Sequence, residues 1–296
     1  MKQWLPSIFL DQPTSRDLAT SLLIEGDCLD VMSLLPQRCV DMDLCDLPYG
    51  TTQNSWDSAI DLDKLWQAYE HVLAPKGVVV LMGQGPFTAQ LILSRSKDFK
   101  YKIVWIKSKA TNFLNAKKQP LRRHEDICVF YSTQPTYNPV MSTGDAYNKG
   151  IRKDQLTGSY GDFKPVEVKS KGGRYPSDVY YCKTAESEGP VWHSTQKPVE
   201  LGRYLIKTYS NPGDVILDNA SGSGSFLVAG VIENRRVIGI ETNNAIQAFK
   251  MEPVDLIKLT DERLSPYIDN ERRITLRAGT WGHNSVATTM HSLGYI

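Results

Sequence analysis

The sequence predicts a doubly wound α/β fold built on a mostly parallel sheet. Three observations carry this. Short β-branched runs alternate with amphipathic segments of about ten residues, the rhythm of strand–helix–strand units. Val78-Val79-Val80-Leu81-Met82 has no polar side, as expected of a strand covered on both faces. Finally, a strand, a glycine-rich turn, a helix and a second strand follow one another between Asp214 and Glu241.

Taken in order, Leu22 to Asp27 reads as a strand ending at Gly26-Asp27, and Cys28 to Leu35 as a helix stopped by Pro36. Val40 to Cys45 is an apolar run leading into Asp46-Leu47-Pro48-Tyr49-Gly50. Asp61 can cap a helix over Leu62 to Ala74, where Leu62, Leu65, Trp66, Tyr69, Val72 and Leu73 share a face. After the turn Pro75-Lys76-Gly77 come the Val78 strand, a helix from Pro86 to Ser94, and strands at Tyr101 to Lys107 and Ile127 to Tyr131. From Thr133 to Trp192 periodicity fails, and Gly144, Gly150, Gly158, Gly161, Gly172 and Gly173 punctuate a polar stretch. A structureless run of that length is unusual in a compact domain and points to an inserted module. Beyond Pro198, the pattern gives a helix over Val199 to Tyr209, a strand over Asp214 to Asp218, a helix over Phe226 to Glu233 and a strand over Arg236 to Glu241. Leu256 to Leu264 is expected as a helix and Ile274 to Arg277 as a strand.

Composition is that of an ordinary globular chain: 296 residues, 41% hydrophobic, 23% charged, net charge +1. The neutral total hides an asymmetry. Met1 to Glu70 carries twelve acids against four Lys and Arg, whereas Arg95 to Arg123 carries ten Lys and Arg against one acid, Asp98. Such a basic tract suits a polyanion. Five widely spaced cysteines with no C-x-x-C pair support neither a zinc site nor a disulfide framework. No window reaches the roughly 18 apolar residues of a membrane span, so the expected location is the cytoplasm.

Two stretches carry chemistry. A carboxylate, a proline turn and an aromatic at the end of a strand form a cup for a planar, amino-bearing ring, although Asp and Tyr are also common in ordinary turns. In Asn219-Ala220-Ser221-Gly222-Ser223-Gly224-Ser225, backbone N–H groups and a helix N-terminus converge above the sheet, and Glu241 ends the neighbouring strand where a carboxylate can hold a ribose. Leu227 stands where a dinucleotide fingerprint has its third glycine, which disfavours a nicotinamide dehydrogenase. A cofactor with a ribose and no phosphates, of which S-adenosylmethionine is the common one, fits better.

Together these stretches resemble the amino-methyltransferases that modify adenine N6 or cytosine N4 in DNA, in the permuted beta-type order with the catalytic motif first, the recognition insertion second and the cofactor motif last. Leu23 to Asp27, Phe113 to Pro120 with His124-Glu125, Tyr137-Asn138-Pro139 and His193 to Pro198 also fit. The resemblance implies a seven-stranded sheet of the S-adenosylmethionine-dependent methyltransferase type. It divides the chain into a catalytic half (20–132), a target-recognition insertion (133–192), a cofactor-binding half (193–245) and a C-terminal extension (246–296). It makes Asp46, Pro48 and Tyr49 catalytic. It places S-adenosylmethionine among Asp27, Cys28, Asp46, Thr195, Gln196, Lys197, Asp218, Asn219, Ser221, Gly222, Gly224, Glu241 and Thr242. Double-stranded DNA is the implied partner, met by Lys107, Lys109, Lys117, Lys118, Arg122 and Arg123, and in the insertion by Arg152, Lys153, Lys171 and Arg174. A homodimer is expected from the resemblance alone. Trp105, inside a strand, is assigned to the core, and Phe113 is a candidate stacking surface.

Two positions depart from the family pattern: Leu47 replaces the first proline of the commonest catalytic motif, and Asn219-Ala220 replaces Pro-Phe. In the family, Asp at the position of Asp46 goes mainly with adenine, which makes sequence-specific adenine-N6 methylation the expected function. The alternatives are cytosine-N4 methylation of DNA, adenine methylation of RNA, and an inactive nucleic-acid-binding relative.

Overall fold

The computed structural model describes residues 18–49, 60–151, 167–192, 195–243, 246–247 and 253–296. Gly50, Arg152, Lys153, Gly158, Gly161, His193 and Ser194 fall outside them.

By contacts, 139–178 is one compact unit and the rest of the chain another. The larger unit begins with β1 (Thr20–Glu25), α1 (Cys28–Leu34) and β2 (Val40–Cys45), then α2 (Leu62–Val72), β3 (Leu73–Gly83), α3 (Pro86–Ser94), β4 (Phe99–Thr111) and β5 (Arg122–Phe130). The smaller unit consists of two-stranded pairs, in which β6 (Ser142–Thr143) joins β9 (Gly173–Arg174) and β7 (Tyr147–Ile151) joins β8 (Glu167–Ser170). The larger unit resumes with β10 (Val179–Cys182), α4 (Val199–Tyr209), β11 (Val215–Asp218), α5 (Ser225–Ile232) and β12 (Arg236–Glu241). After the short pair β13 (Ile246–Gln247) and β14 (Pro253–Val254) come α6 (Leu256–Leu264), β15 (Arg273–Leu276) and α7 (His283–Ser292).

One sheet of nine strands runs β10-β4-β5-β3-β2-β11-β12-β1-β15. Only β5 is antiparallel to its neighbours, β3 and β4. The expected seven strands are thus nine, because β10 extends one edge beside β4 and β15 extends the other beside β1. The expected 133–192 insertion divides accordingly: Val179–Cys182 belongs to the sheet, and 139–178 forms the separate unit.

Side-chain alternation fills both faces. Met42, Leu44, Val78, Val80 and Trp105 pack with Leu201, Leu205, Phe226 and Leu227 of α4 and α5. Leu22, Ile24, Val79 and Leu81 pack on the other side with Val31, Leu65, Trp66, Tyr69 and Phe87 of α1, α2 and α3. Trp105 is in the core as expected, its Nε1 donating to the Cys182 carbonyl at 3.0 Å. Leu47, 2% exposed, belongs to the second layer. Its place after Asp46 is a core position, which a side chain larger and more flexible than proline fills. Asn138 of Tyr137-Asn138-Pro139 donates through Nδ2 to the carbonyls of Lys207 and Ser210, closing the C-terminal turn of α4.

No described helix is long and apolar enough to cross a membrane.

Candidate active site

β2, β11, β12 and β1 are parallel neighbours, so their C-terminal ends present Asp46, the 219–224 turn, Glu241 and Gly26-Asp27 along one sheet edge. A crevice at such an edge is where open α/β sheets bind ligands.

The glycine turn is held from several sides. Ser221 N–H donates to the Ile240 carbonyl at 3.0 Å, and Gly224 N–H closes the turn onto the Ser221 carbonyl at 2.7 Å. Glu241 Oε2 accepts the Gly222 N–H at 2.8 Å, while its Oε1 accepts from Asn243 N–H and the Thr242 hydroxyl, each at 3.3 Å. Burial pushes the Glu241 carboxyl up, and these donors draw it back. Gly222, at φ +51°, has open space where a Cβ would stand, so a ligand can approach its backbone. Gly224, at φ +74°, does not: a Cβ there would lie 2.4 Å from Thr260. Gly222 lies open, and Gly224 makes room for α6.

The C-terminal extension completes this side, and sequence reasoning missed it. Thr260 donates to the Gly222 carbonyl at 3.3 Å, and the Arg263 guanidinium reaches the Ser223 carbonyl and hydroxyl. Trp281 Nε1 donates to the Glu25 carbonyl at 2.8 Å, and its ring closes over Gly26. Arg277 pairs with Glu25 and Asp255. Asp255 capping α6 and the amphipathic run behind it were the available signals.

Asp27 caps α1, accepting from Leu29 N–H at 2.8 Å and Asp30 N–H at 3.4 Å. Cys28 behind it has its thiol pushed up to about 11 by burial, which keeps it protonated and inert at neutral pH. Gln196 joins its segment to the turn, its Oε1 accepting from Trp192 N–H at 3.0 Å and facing the Ser223 hydroxyl at 3.5 Å.

Beneath the turn lies a buried acidic layer. Tyr69 donates to Asn219 Oδ1 at 2.9 Å, and the fully buried Asp43 lies beside it. Burial pushes the Asp218 carboxyl up to about 8, against the Ala220 N–H that draws it down, and Asp43 is raised by burial and by Asp218. The folded state therefore holds protons that the unfolded chain has lost. The sign follows: this contribution to stability is complete below about pH 4 and is lost as pH rises to about 8. Unfolding free energies from urea titrations at pH 5 to 8.5 should fall with a slope approaching about 1.4 kcal/mol per pH unit for each proton involved. Asp218→Asn should flatten that slope, and an unchanged slope would exclude Asp218 as its source.

At Asp46 the arrangement differs from the expected open cup. Tyr49 is half-buried, its ring stacked on Phe87 with centroids 4.9 Å apart, and its hydroxyl donates to Asp46 Oδ1 at 2.9 Å. The Lys197 ammonium, expected beside the cofactor, is on Asp46 Oδ2 and lies 3.4 Å from Glu125 Oε2. Burial pushes the Asp46 carboxyl up and Lys197 pulls against it. Lys107, expected on phosphate, is turned inward with its ammonium 3.0 Å from Glu125 Oε1. Its carboxylate partner makes burial tolerable, which the residue type alone does not reveal.

The remaining cations divide. Lys117, Lys118, Arg122 and Arg123 are exposed on and beside the loop between β4 and β5, and so are Phe113 and Leu114. Lys109 is exposed but 3.5 Å from Glu186. Within the smaller unit Lys171 is exposed, whereas Arg174 covers the Tyr147 ring and donates to Ser170 Oγ at 2.9 Å. Arg174 thus braces its own unit instead of presenting a free cation.

A family model described as DNA methylase, covering N6 and N4 methyltransferases, matches residues 40–251. The chain belongs to this DNA methylase family. The DNA adenine methyltransferase YhdJ of Escherichia coli is 27% identical over 255 residues, which are 79% of this methylase and 82% of YhdJ. Two solved structures share its fold. The modification methylase TTHA0409 of Thermus thermophilus, complexed with S-adenosylmethionine, has a TM-score of 0.55 at 19% identity, covering 86% of this chain and 99% of its own. The cytosine-N4-specific PvuII methyltransferase has a TM-score of 0.58 at 12% identity and 94% coverage of both. As a DNA methylase, the protein takes its methyl group from S-adenosylmethionine. The donor set suits that cofactor: Gly222 is open, and the buried Ser221 Oγ and Asn219 Nδ2 have no hydrogen-bond partner among the described residues.

Proposed function

We propose that this methylase transfers a methyl group to the exocyclic N6 of an adenine turned out of duplex DNA. The observation that carries the reading is Asp46-Leu47-Pro48-Tyr49 at the end of β2, beside the glycine turn that follows β11. S-adenosylmethionine supplies an electrophilic methyl group on a sulfonium. Everything else falls to the chain.

Asp46 and the Pro48 carbonyl accept the two amino hydrogens, which draws the nitrogen lone pair out of ring conjugation and steadies the positive charge that develops on nitrogen. No strong base is needed, because the amine becomes acidic only after it has been methylated. Tyr49, braced by Phe87, stacks on the extruded ring, offsetting part of an unstacking cost of a few kcal/mol. Ser221, Asn219 and the Gly222 backbone hold the methionine part of the cofactor. Glu241 takes its ribose hydroxyls while keeping the turn in place, and Asp27 and Cys28 border its adenine.

The loop between β4 and β5 supports a duplex partner. Both flanking strands open it at the same sheet edge as Asp46, and it sets an exposed Phe113-Leu114 pair among exposed cations. That combination suits phosphates around a disrupted base step. Adenine is preferred over cytosine on Asp46 and on the adenine methyltransferase among the relatives.

Incubation with labelled S-adenosylmethionine and either plasmid DNA or RNA, followed by nucleoside analysis, should give N6-methyladenine in the DNA at a recurring short sequence. N4-methylcytosine, label in RNA alone, or no label would each overturn the assignment.

A further inference from the structure

From Asp46 the charges alternate inward along one row: Asp46, Lys197, Glu125, Lys107. Both Asp46 oxygens are taken, Oδ1 by the Tyr49 hydroxyl and Oδ2 by the Lys197 ammonium. Glu125 stands on the far side of Lys197, anchored by Lys107 at 3.0 Å through Oε1. Its other oxygen, Oε2, is buried and already pairs with the Lys197 ammonium at 3.4 Å, a looser contact than the one Lys197 makes with Asp46.

Buried ion pairs seldom stabilise a fold more than apolar side chains of the same size, so a row of four charges that runs from a part-exposed Asp46 to a buried Lys107 calls for another reason. Lys197 sits on the carboxylate of Asp46, where an amino group must bind, and its second, looser partner Glu125 lies next to it, able to take the ammonium fully. An ammonium left on Asp46 would also repel the positive charge that methylation creates on the amino nitrogen.

We propose that Lys197 is a placeholder for the substrate's amino group, and that entry of the base moves its ammonium from Asp46 onto the waiting Oε2 of Glu125. Glu125 and Lys107 are then positioning residues: one receives the displaced charge and the other holds the receiver. The row keeps its net charge throughout, so the base exchanges one set of N–H donors on Asp46 for another. This rests on the methyl-transfer reading and holds for an adenine or a cytosine amino group alike.

The test uses the full chain and a duplex with a fluorescent base analogue at the mapped target position, which brightens when the base leaves the stack. Without cofactor, Lys197→Met should brighten the probe beyond the wild-type level, because Asp46 is no longer occupied. Glu125→Gln should lower kcat by about ten- to a hundredfold, leaving the cofactor Kd and the KM for DNA within about twofold. Glu125→Gln should also dim the probe below the wild-type level, and adding Lys197→Met should recover part of that signal, since no ammonium then needs a receiver. A merely structural row predicts the reverse, with the double variant worse than either single one. No brightening with Lys197→Met, or no recovery in the double variant, would overturn the proposal. Should Glu125→Gln melt too low to assay, the Lys197→Met probe signal decides alone. Wild-type protein that methylates no DNA would sink the methyl-transfer reading itself.

Discussion

Asp46→Ala is expected to lower kcat by about a thousandfold or more, a loss of roughly 4 kcal/mol of transition-state stabilisation, as when a preorganised charge partner is removed. The structure indicates why the variant should still fold and bind cofactor. Lys197 keeps a carboxylate at 3.4 Å in Glu125, so no ammonium is buried alone. The glycine turn is held by Glu241, Thr260 and Arg263, none of which touches Asp46 in the described hydrogen bonds. Calorimetry with S-adenosylmethionine should show a Kd close to that of the parent. Single-turnover methylation should show almost no product. Near-normal turnover would remove Asp46 from the reaction.

Glu241→Ala is expected to act on the other half of the site. On the proposed reading the carboxylate has two duties, a ribose to hold and the backbone it already latches. Its loss frees the Gly222 and Asn243 N–H groups as well as the ligand's hydroxyls. Each unpaired buried group costs about 1–3 kcal/mol, so the cofactor Kd should rise by at least about tenfold. Glu241→Gln, which can still accept the Gly222 N–H, should keep the turn and recover part of the affinity. An unchanged Kd in the alanine variant would show that Glu241 serves the fold alone.

The inner elements of the sheet were legible because burial on both faces leaves a continuous apolar run, as in Val78 to Met82. Of the edges, β15 was expected over Ile274 to Arg277, but β10 was not: Val179-Tyr180-Tyr181-Cys182 is four residues of mixed polarity inside a glycine-punctuated stretch, so nothing local distinguishes it from loop. In the site, the acid, the turn and Glu241 could be placed because motif and strand end coincide. Lys107, Glu125 and Lys197 could not, since a sequence states that a side chain is charged but not which way it turns. Glu125 was part of a noted motif and still had no role until Lys107 and Lys197 were found on either side of it. Leu47, a departure from the family pattern by sequence, is ordinary once its burial is known.

β1 lies between β12 and β15, both drawn from residue 236 onward. During synthesis from the N-terminus, the first strand of the sheet must therefore wait for nearly the whole chain to emerge before either neighbour exists. Until then its two backbone edges stay open to wrong partners, and the crevice lacks the wall that ends in Gly26-Asp27. Asp46 is translated early, but the crevice beside it closes late. A ribosome-bound chain stopped before Arg236 would thus carry the proposed catalytic acid with no walled crevice at its side.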